Sequence, residues 1–161
     1  MNELLHKSGF LGTNANFGAD MTLVLSLLVA ALFSFGYYLA RVRHNYDAHK
    51  WVQTGGSTLN IILVLWLMLL PYRDFILQDR GGPRETIFYS VTSIHAIVGF
   101  FAFTFGNFVV LRGHKLVPKR LRFNNYKPFM RTAYTLYMLT TALGVWTYIT
   151  WFVTVSKPPL F

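Results

Sequence analysis

The 161-residue chain contains no cysteine. That absence removes disulfides, covalently attached c-type haem, iron–sulfur clusters and thiolate copper sites together. Charge is scarce too. Asp, Glu, Lys and Arg make up 13% of the residues, against about 25% in soluble domains. Acids are the scarcer sign, six against fifteen bases, for a formal net charge of +9. Four stretches hold no charged residue at all: 21–40, 51–72, 86–111 and 132–156.

What fills those stretches is apolar. Hydrophobic residues are 53% of the chain and aromatics 17%, and the mean hydropathy is +0.39. Each run meets the requirement of about 20 apolar residues for a helix crossing roughly 30 Å of hydrocarbon. Backbone groups in lipid must be satisfied within their own segment, so the runs are helices and not open strands. The sequence therefore predicts one all-α domain over 1–161, an integral membrane four-helix antiparallel bundle. Its spans lie near 20–41, 51–72, 86–111 and 131–156. The first apolar run is full length and lacks a basic start, so it reads as a retained span, not a cleaved signal.

The few charges orient the spans. The first loop carries Arg41, Arg43 and Lys50 against Asp47, and the third carries seven bases between Arg112 and Arg131 with no acid. Those ten bases and one acid hold the whole net charge of the chain. The second loop and the two termini are balanced. By the positive-inside rule, loops 41–51 and 112–131 face the cytoplasm, with the N-terminus and C-terminus outside. The expected location is a membrane crossed several times, with the basic loops on its cytoplasmic side. The isoelectric point near 10.0 then reflects topology and anionic lipid at the cytoplasmic face, not nucleic acid.

Within the runs there is no carboxylate, lysine or arginine. Ion-coupled transporters and proton pumps usually hold such groups inside the membrane, and no nucleophile–base pair or carboxylate dyad points to an enzyme. The polar residues that remain lie on helical stripes. Tyr134, Tyr137, Thr141, Gly144, Tyr148 and Trp151 follow spacings of three and four, as do Thr92, His95, Gly99, Ala102 and Gly106. Such small-residue faces let helices approach closely in lipid, or receive a flat cofactor such as haem or quinone.

His95 is the outstanding single residue, in "FYSVTSIHAIVGFFAFTFG" (Phe88–Gly106). Counted from Thr86, it lies roughly 14 Å below the outer end of its helix. His44, His49 and His114 sit at cytoplasmic ends, on the order of 20–25 Å lower by the same rise. None of them can share an iron with His95. At its level the fourth span offers Thr147 and Tyr148, bracketed by Asn60 and Met68 of the second. His95, Gly99 and Tyr148 are therefore the candidate cofactor contacts, with haem b or another pigment as the cofactor. The alternative is a simple hydrogen bond from a neutral imidazole. The cytoplasmic "RHNYDAHKW" (Arg43–Trp51) sets His44 and His49 on either side of Asp47, with His114 in the neighbouring loop. These three are the candidate metal ligands, for copper, zinc or a haem edge.

Three segments carry a resemblance: "GYYLARVRHNYDAHKWVQTGGSTLNIILVLWLM", "SIHAIVGFFAFTFGNFVVLRG" and "FMRTAYTLYMLTTALGVWTYITWF". Their order resembles the four-helix bacterial membrane family labelled domain of unknown function 420 (YozB/CtaM-like). His49–Lys50 looks like the pair opening its second span, His95 like the histidine of its third, and Thr141–Tyr148 like its threonine-rich fourth. The likeness covers roughly Gly36 to Phe152, about three quarters of the chain. Where a further histidine is often found before the fourth span, this chain has Asn125 and Tyr126.

The resemblance implies membership of the membrane respiratory machinery, with some relatives supporting maturation of haem–copper oxidases. The function expected is a non-catalytic accessory or assembly subunit of a respiratory or photosynthetic electron-transfer complex, partnered by other membrane subunits. The alternative is a small b-type haem-binding electron-transfer protein using His95.

Overall fold

Asparagines set where the helices begin. Asn16 Oδ1 accepts from the Ala19 amide at 2.8 Å, and Asn45 Oδ1 from the Ala48 amide at 3.0 Å, each satisfying a donor with no intrahelical partner. Asp20 and Asp47 occupy first turns and Arg41 and Arg112 last turns, signs that match the helix dipole. The resulting computed structural model describes residues 7–69, 72–73, 86–122 and 124–154. Among these residues the chain is all-helical, with α1 (Phe17–Arg41), α2 (Tyr46–Leu63), α3 (Thr86–Gly113) and α4 (Tyr126–Phe152). A π-helical turn, Val64–Met68, continues α2, and a 3-10 turn, Lys119–Leu121, precedes α4.

Three of the helices, Phe17–Arg41, Tyr46–Met68 and Thr86–Gly113, are long and apolar enough to cross a membrane. They mark a membrane protein. The fourth has 27 residues and more hydroxyl groups. Its threonines turn back on their own helix: Thr140, Thr141, Thr147 and Thr150 donate to carbonyls four residues earlier at 2.9–3.0 Å. Such back-bonding conceals the hydroxyl from the helix surroundings.

Helix ends overrun the charge-free runs. The α1–α2 connection needs only residues 42–45, so His49 and Lys50 stand in the first turns of α2, not in a loop. His44 turns the chain there with a left-handed φ of 55°, a conformation histidine adopts more readily than most side chains. Spacing along a helix therefore says nothing about how His44 and His49 relate. In the longer basic connection, Arg122 Nε donates to the Val117 carbonyl at 2.9 Å and its Nη2 to the Lys115 carbonyl at 3.1 Å. The charges of the second loop other than Arg73, the "RGGP" turn and the "KPP" end lie outside the described residues.

Neighbouring helices run in opposite directions, as their registers show. Gly36 of α1 faces His49 of α2, and Phe33, further back along α1, faces Gln53, further along α2. Thr54 of α2 meets His114, just past the end of α3, and Ser57 of α2 meets Asn107 of α3. Thr92 of α3 meets Trp151 of α4 at 2.9 Å, and Tyr134 of α4 meets Ser34 of α1 at 3.0 Å. Polar side chains thus join the helices, while many large apolar ones face outward. Phe100 is 64% exposed and Phe101 59%, whereas Ser57 and Asn60 are buried. That inversion suits a hydrocarbon solvent, in which only internally paired polar groups are tolerated.

Candidate functional site

At the end where the basic segments gather, the helices diverge around a cavity of about 690 Å³. Each wall has a separate origin in the sequence. Phe33 and Tyr37 come from α1, Ala102 and Gly106 from α3, and Tyr134 and Tyr137 from α4. Phe33 stands edge-on to Tyr137, with ring centroids 4.5 Å apart, and Tyr37 stacks on Tyr134 at 5.1 Å. The inner end is polar, and its groups bond one another. Ser57 Oγ donates to Asn107 Oδ1 at 2.7 Å, and Tyr137 OH donates to Asn60 Oδ1 at 3.3 Å. From Lys50 to Asn60 the cavity follows α2 for roughly 15 Å.

The mouth is basic. Arg41, Lys50, Lys127 and Arg131 border the cavity, and among the described lining residues Asp47 is the acid. At the foot of α4, ahead of its charge-free stretch, Tyr126 donates to the Val109 carbonyl at 3.4 Å, and the Arg112 guanidinium lies 5.4 Å from the centre of its ring. Burial pushes the Tyr126 hydroxyl above its ordinary pKa, with Arg112 acting the other way. It is therefore a protonated donor throughout the neutral range.

The three histidines read as metal ligands, His44, His49 and His114, all border this cavity. Two are held by the protein itself. His49 Nδ1 donates to the Gly36 carbonyl at 2.7 Å, and His114 Nε2 lies 2.7 Å from Thr54 Oγ1. Among the described residues no three His, Asp or Glu side chains converge as a metal ion would require. The histidines share a space without forming a coordination cluster.

The residues read as cofactor contacts, His95, Gly99 and Tyr148, stand elsewhere and apart. His95 crosses the α3–α4 interface and donates from Nδ1 to the Thr140 carbonyl at 3.1 Å. A Cβ on Gly144 would come within 3.0 Å of His95 Cε1, so the imidazole occupies the room that this glycine leaves. Gly99 faces the Thr140 methyl in the same interface. The partner is thus a backbone carbonyl about two turns away from the Thr147–Tyr148 level that the sequence suggested.

Tyr148 belongs to a third place, which the sequence reading missed. Asp20, at the head of α1, is fully buried. Its Oδ2 accepts from the Phe10 and Leu11 amides at 2.6 and 2.7 Å, and its Oδ1 from Tyr148 OH at 2.5 Å. Tyr148 OH also meets Thr13 Oγ1 at 2.7 Å. Residues 8–16 are drawn over the end of the helices by these bonds, with Asn14 donating to the Phe152 carbonyl at 3.2 Å. Gly9 lets the loop close, because a Cβ there would strike the Asp20 carboxylate and come within 2.6 Å of the Ala15 carbonyl. Beneath it, Ala15, Phe88, Tyr148, Trp151 and Phe152 form a buried apolar cluster.

No family model matches the sequence, and no curated protein or solved structure matches it either.

Proposed function

We propose that the chain is a four-helix antiparallel membrane bundle acting as a non-catalytic accessory or assembly subunit of a membrane electron-transfer complex. In this reading α4 also crosses the bilayer, loops 41–51 and 112–131 face the cytoplasm of a bacterial inner membrane, and both termini lie outside. The concealed threonine hydroxyls of α4 support the fourth span. The charge asymmetry supports the orientation.

One observation carries the accessory role: the interior polar groups are engaged with one another across helices. Ser57 is engaged by Asn107, Asn60 by Tyr137, and His95 by Thr140. Hydrogen bonds of this kind position helices and hold a shape. Electron-transfer machinery as the setting, and a part in haem–copper oxidase maturation, rest on the likeness carried by His49–Lys50, His95 and Thr141–Tyr148.

A b-type haem on His95 fits the geometry less well, since the imidazole is wedged against Gly144 and does not border the cavity. His49 is the better-prepared imidazole. Its Nδ1–H is fixed by a backbone carbonyl, which leaves Nε2 as the nitrogen a ligating histidine presents.

Mild solubilisation of the native membrane, followed by size separation and probing for this chain, tests the proposal. Migration within a large assembly that carries redox centres is expected; migration as an isolated small protein sinks the accessory role. A reduced-minus-oxidised spectrum of the purified chain tests haem binding. Haem bands that persist in His95→Ala and vanish in His49→Ala would assign the haem to the cavity, whereas a colourless protein removes haem from the reading.

A further inference from the structure

We infer that the cavity at the basic end is a binding site for an anionic amphiphile, a molecule with a phosphate or carboxylate head on an elongated or flat apolar body. Size comes first. About 690 Å³ lies within the 300–1,000 Å³ usual for small-molecule sites. The depth of roughly 15 Å along α2 suits a long or flat body better than a compact ion.

Polarity is graded along that depth. The mouth carries Arg41, Lys50, Lys127 and Arg131 against Asp47, a surplus of positive charge at the level where a head group would lie. Further in, the wall is Phe33, Tyr37 and Ala102, with Gly106 leaving a gap. At the inner end Ser57 donates to Asn107, Asn107 Nδ2 donates to the Phe103 carbonyl, and Tyr137 donates to the Asn60 oxygen. The Ser57 hydroxyl, the Asn107 side chain and the Asn60 oxygen are already engaged and do not demand a polar guest, so the inner half accepts a largely apolar body. A free phosphate would find its charge matched at the mouth and nothing to fill the space behind.

Two sources supply this chemistry: an anionic phospholipid of the adjoining leaflet, and a flat carboxylated pigment. The inference is independent of the accessory role, because a lone protein could bind either one.

Gly106 provides the test. A Cβ there meets nothing within 4 Å, and the residue borders the cavity, so Gly106→Leu fills the space without colliding with the fold. Gly55 is equally open but does not border the cavity, and Gly55→Leu adds the same bulk as a control. The full chain, stripped of lipid in neutral detergent, would be titrated with phosphatidylglycerol, phosphatidylcholine and protoporphyrin IX. Retained adducts would be counted by native mass spectrometry, with porphyrin absorbance as a second readout.

Expected is one retained phosphatidylglycerol or one porphyrin per chain, weakened at least tenfold in Gly106→Leu and unchanged in Gly55→Leu. The paired rim substitution Arg41→Gln with Arg131→Gln should weaken the same adduct by about tenfold, through lost head-group attraction. Phosphatidylglycerol alone identifies the lipid source, and porphyrin alone the pigment source. The inference is overturned if neither probe is retained, if phosphatidylcholine binds as well as phosphatidylglycerol, or if Gly106→Leu binds as the unaltered chain does.

Discussion

Asp20→Ala should be the most damaging single substitution in this protein, lowering its stability by about 3 kcal/mol or more. The carboxylate is fully buried and accepts from two backbone amides and one tyrosine hydroxyl. Removing it strands the Phe10 and Leu11 amides and leaves Tyr148 OH with Thr13 Oγ1 alone, and each hydrogen bond to a charged group is worth about 1.5–3 kcal/mol. Loss of the loop over the apolar cluster would add to that cost.

The conservative change separates charge from shape. Asp20→Asn keeps an acceptor oxygen for the Phe10 and Leu11 amides. Its amide can donate to Tyr148 OH, which can in turn donate to Thr13. A loss of roughly 1 kcal/mol is expected there. Two measurements check this. Thermal unfolding in detergent should rank the variants native, Asn, Ala, and amide exchange at Phe10 and Leu11 should accelerate sharply in Asp20→Ala alone. Equal protection of those amides in all three proteins would show that Asp20 does not hold the loop.

The second large effect is expected at the α3–α4 crossing. Gly144→Leu drives a side chain into the His95 imidazole, whose Cε1 already lies 3.0 Å from where a Cβ would be. Overpacking of this kind costs about 1–3 kcal/mol. His95→Ala alone loses one interhelical hydrogen bond, worth about 0.6 kcal/mol on average between membrane helices, and leaves a void. Combined, the two changes compensate, since leucine occupies the space the imidazole vacates. The double variant should be more stable than the sum of the singles by about 1 kcal/mol, the coupling usual for residues in contact. Additive losses would mean that the two residues do not touch.

The four helices, three of them long and apolar enough to cross a membrane, were legible because hydrocarbon tolerates few charges, so charge-free runs near 20 residues have one main physical explanation. The helix ends were not. Nothing at Lys50 or Lys127 prevents a helix from continuing into the head-group region, so the basic segments proved partly helical. His44, His49 and His114 were legible as one neighbourhood, because all three sit where basic span ends gather. The inner part of their cavity was harder to see. Tyr137 and Asn60 are 77 positions apart, and neither carries a mark of the other.

Asp20 was opaque for a stricter reason. A lone carboxylate at the head of a span reads as an ordinary interfacial charge. Two of its three partners are backbone amides, which have no side-chain signature. The His95 partner was missed likewise, because the Thr140 carbonyl is main chain and counting helical rise from estimated span ends does not fix interhelical register.

Absence of cysteine makes the central claim directly testable, since any single introduced thiol is the only one in the chain. Ser8→Cys, Lys119→Cys and Lys157→Cys should each be probed in sealed vesicles of the native membrane, of known orientation, with a membrane-impermeant maleimide. Four crossings with basic loops inside require Ser8→Cys and Lys157→Cys to label from the outer face and Lys119→Cys from the cytoplasmic face. Labelling of Lys157→Cys from the same side as Lys119→Cys would show that α4 does not cross, and the four-span account would be wrong.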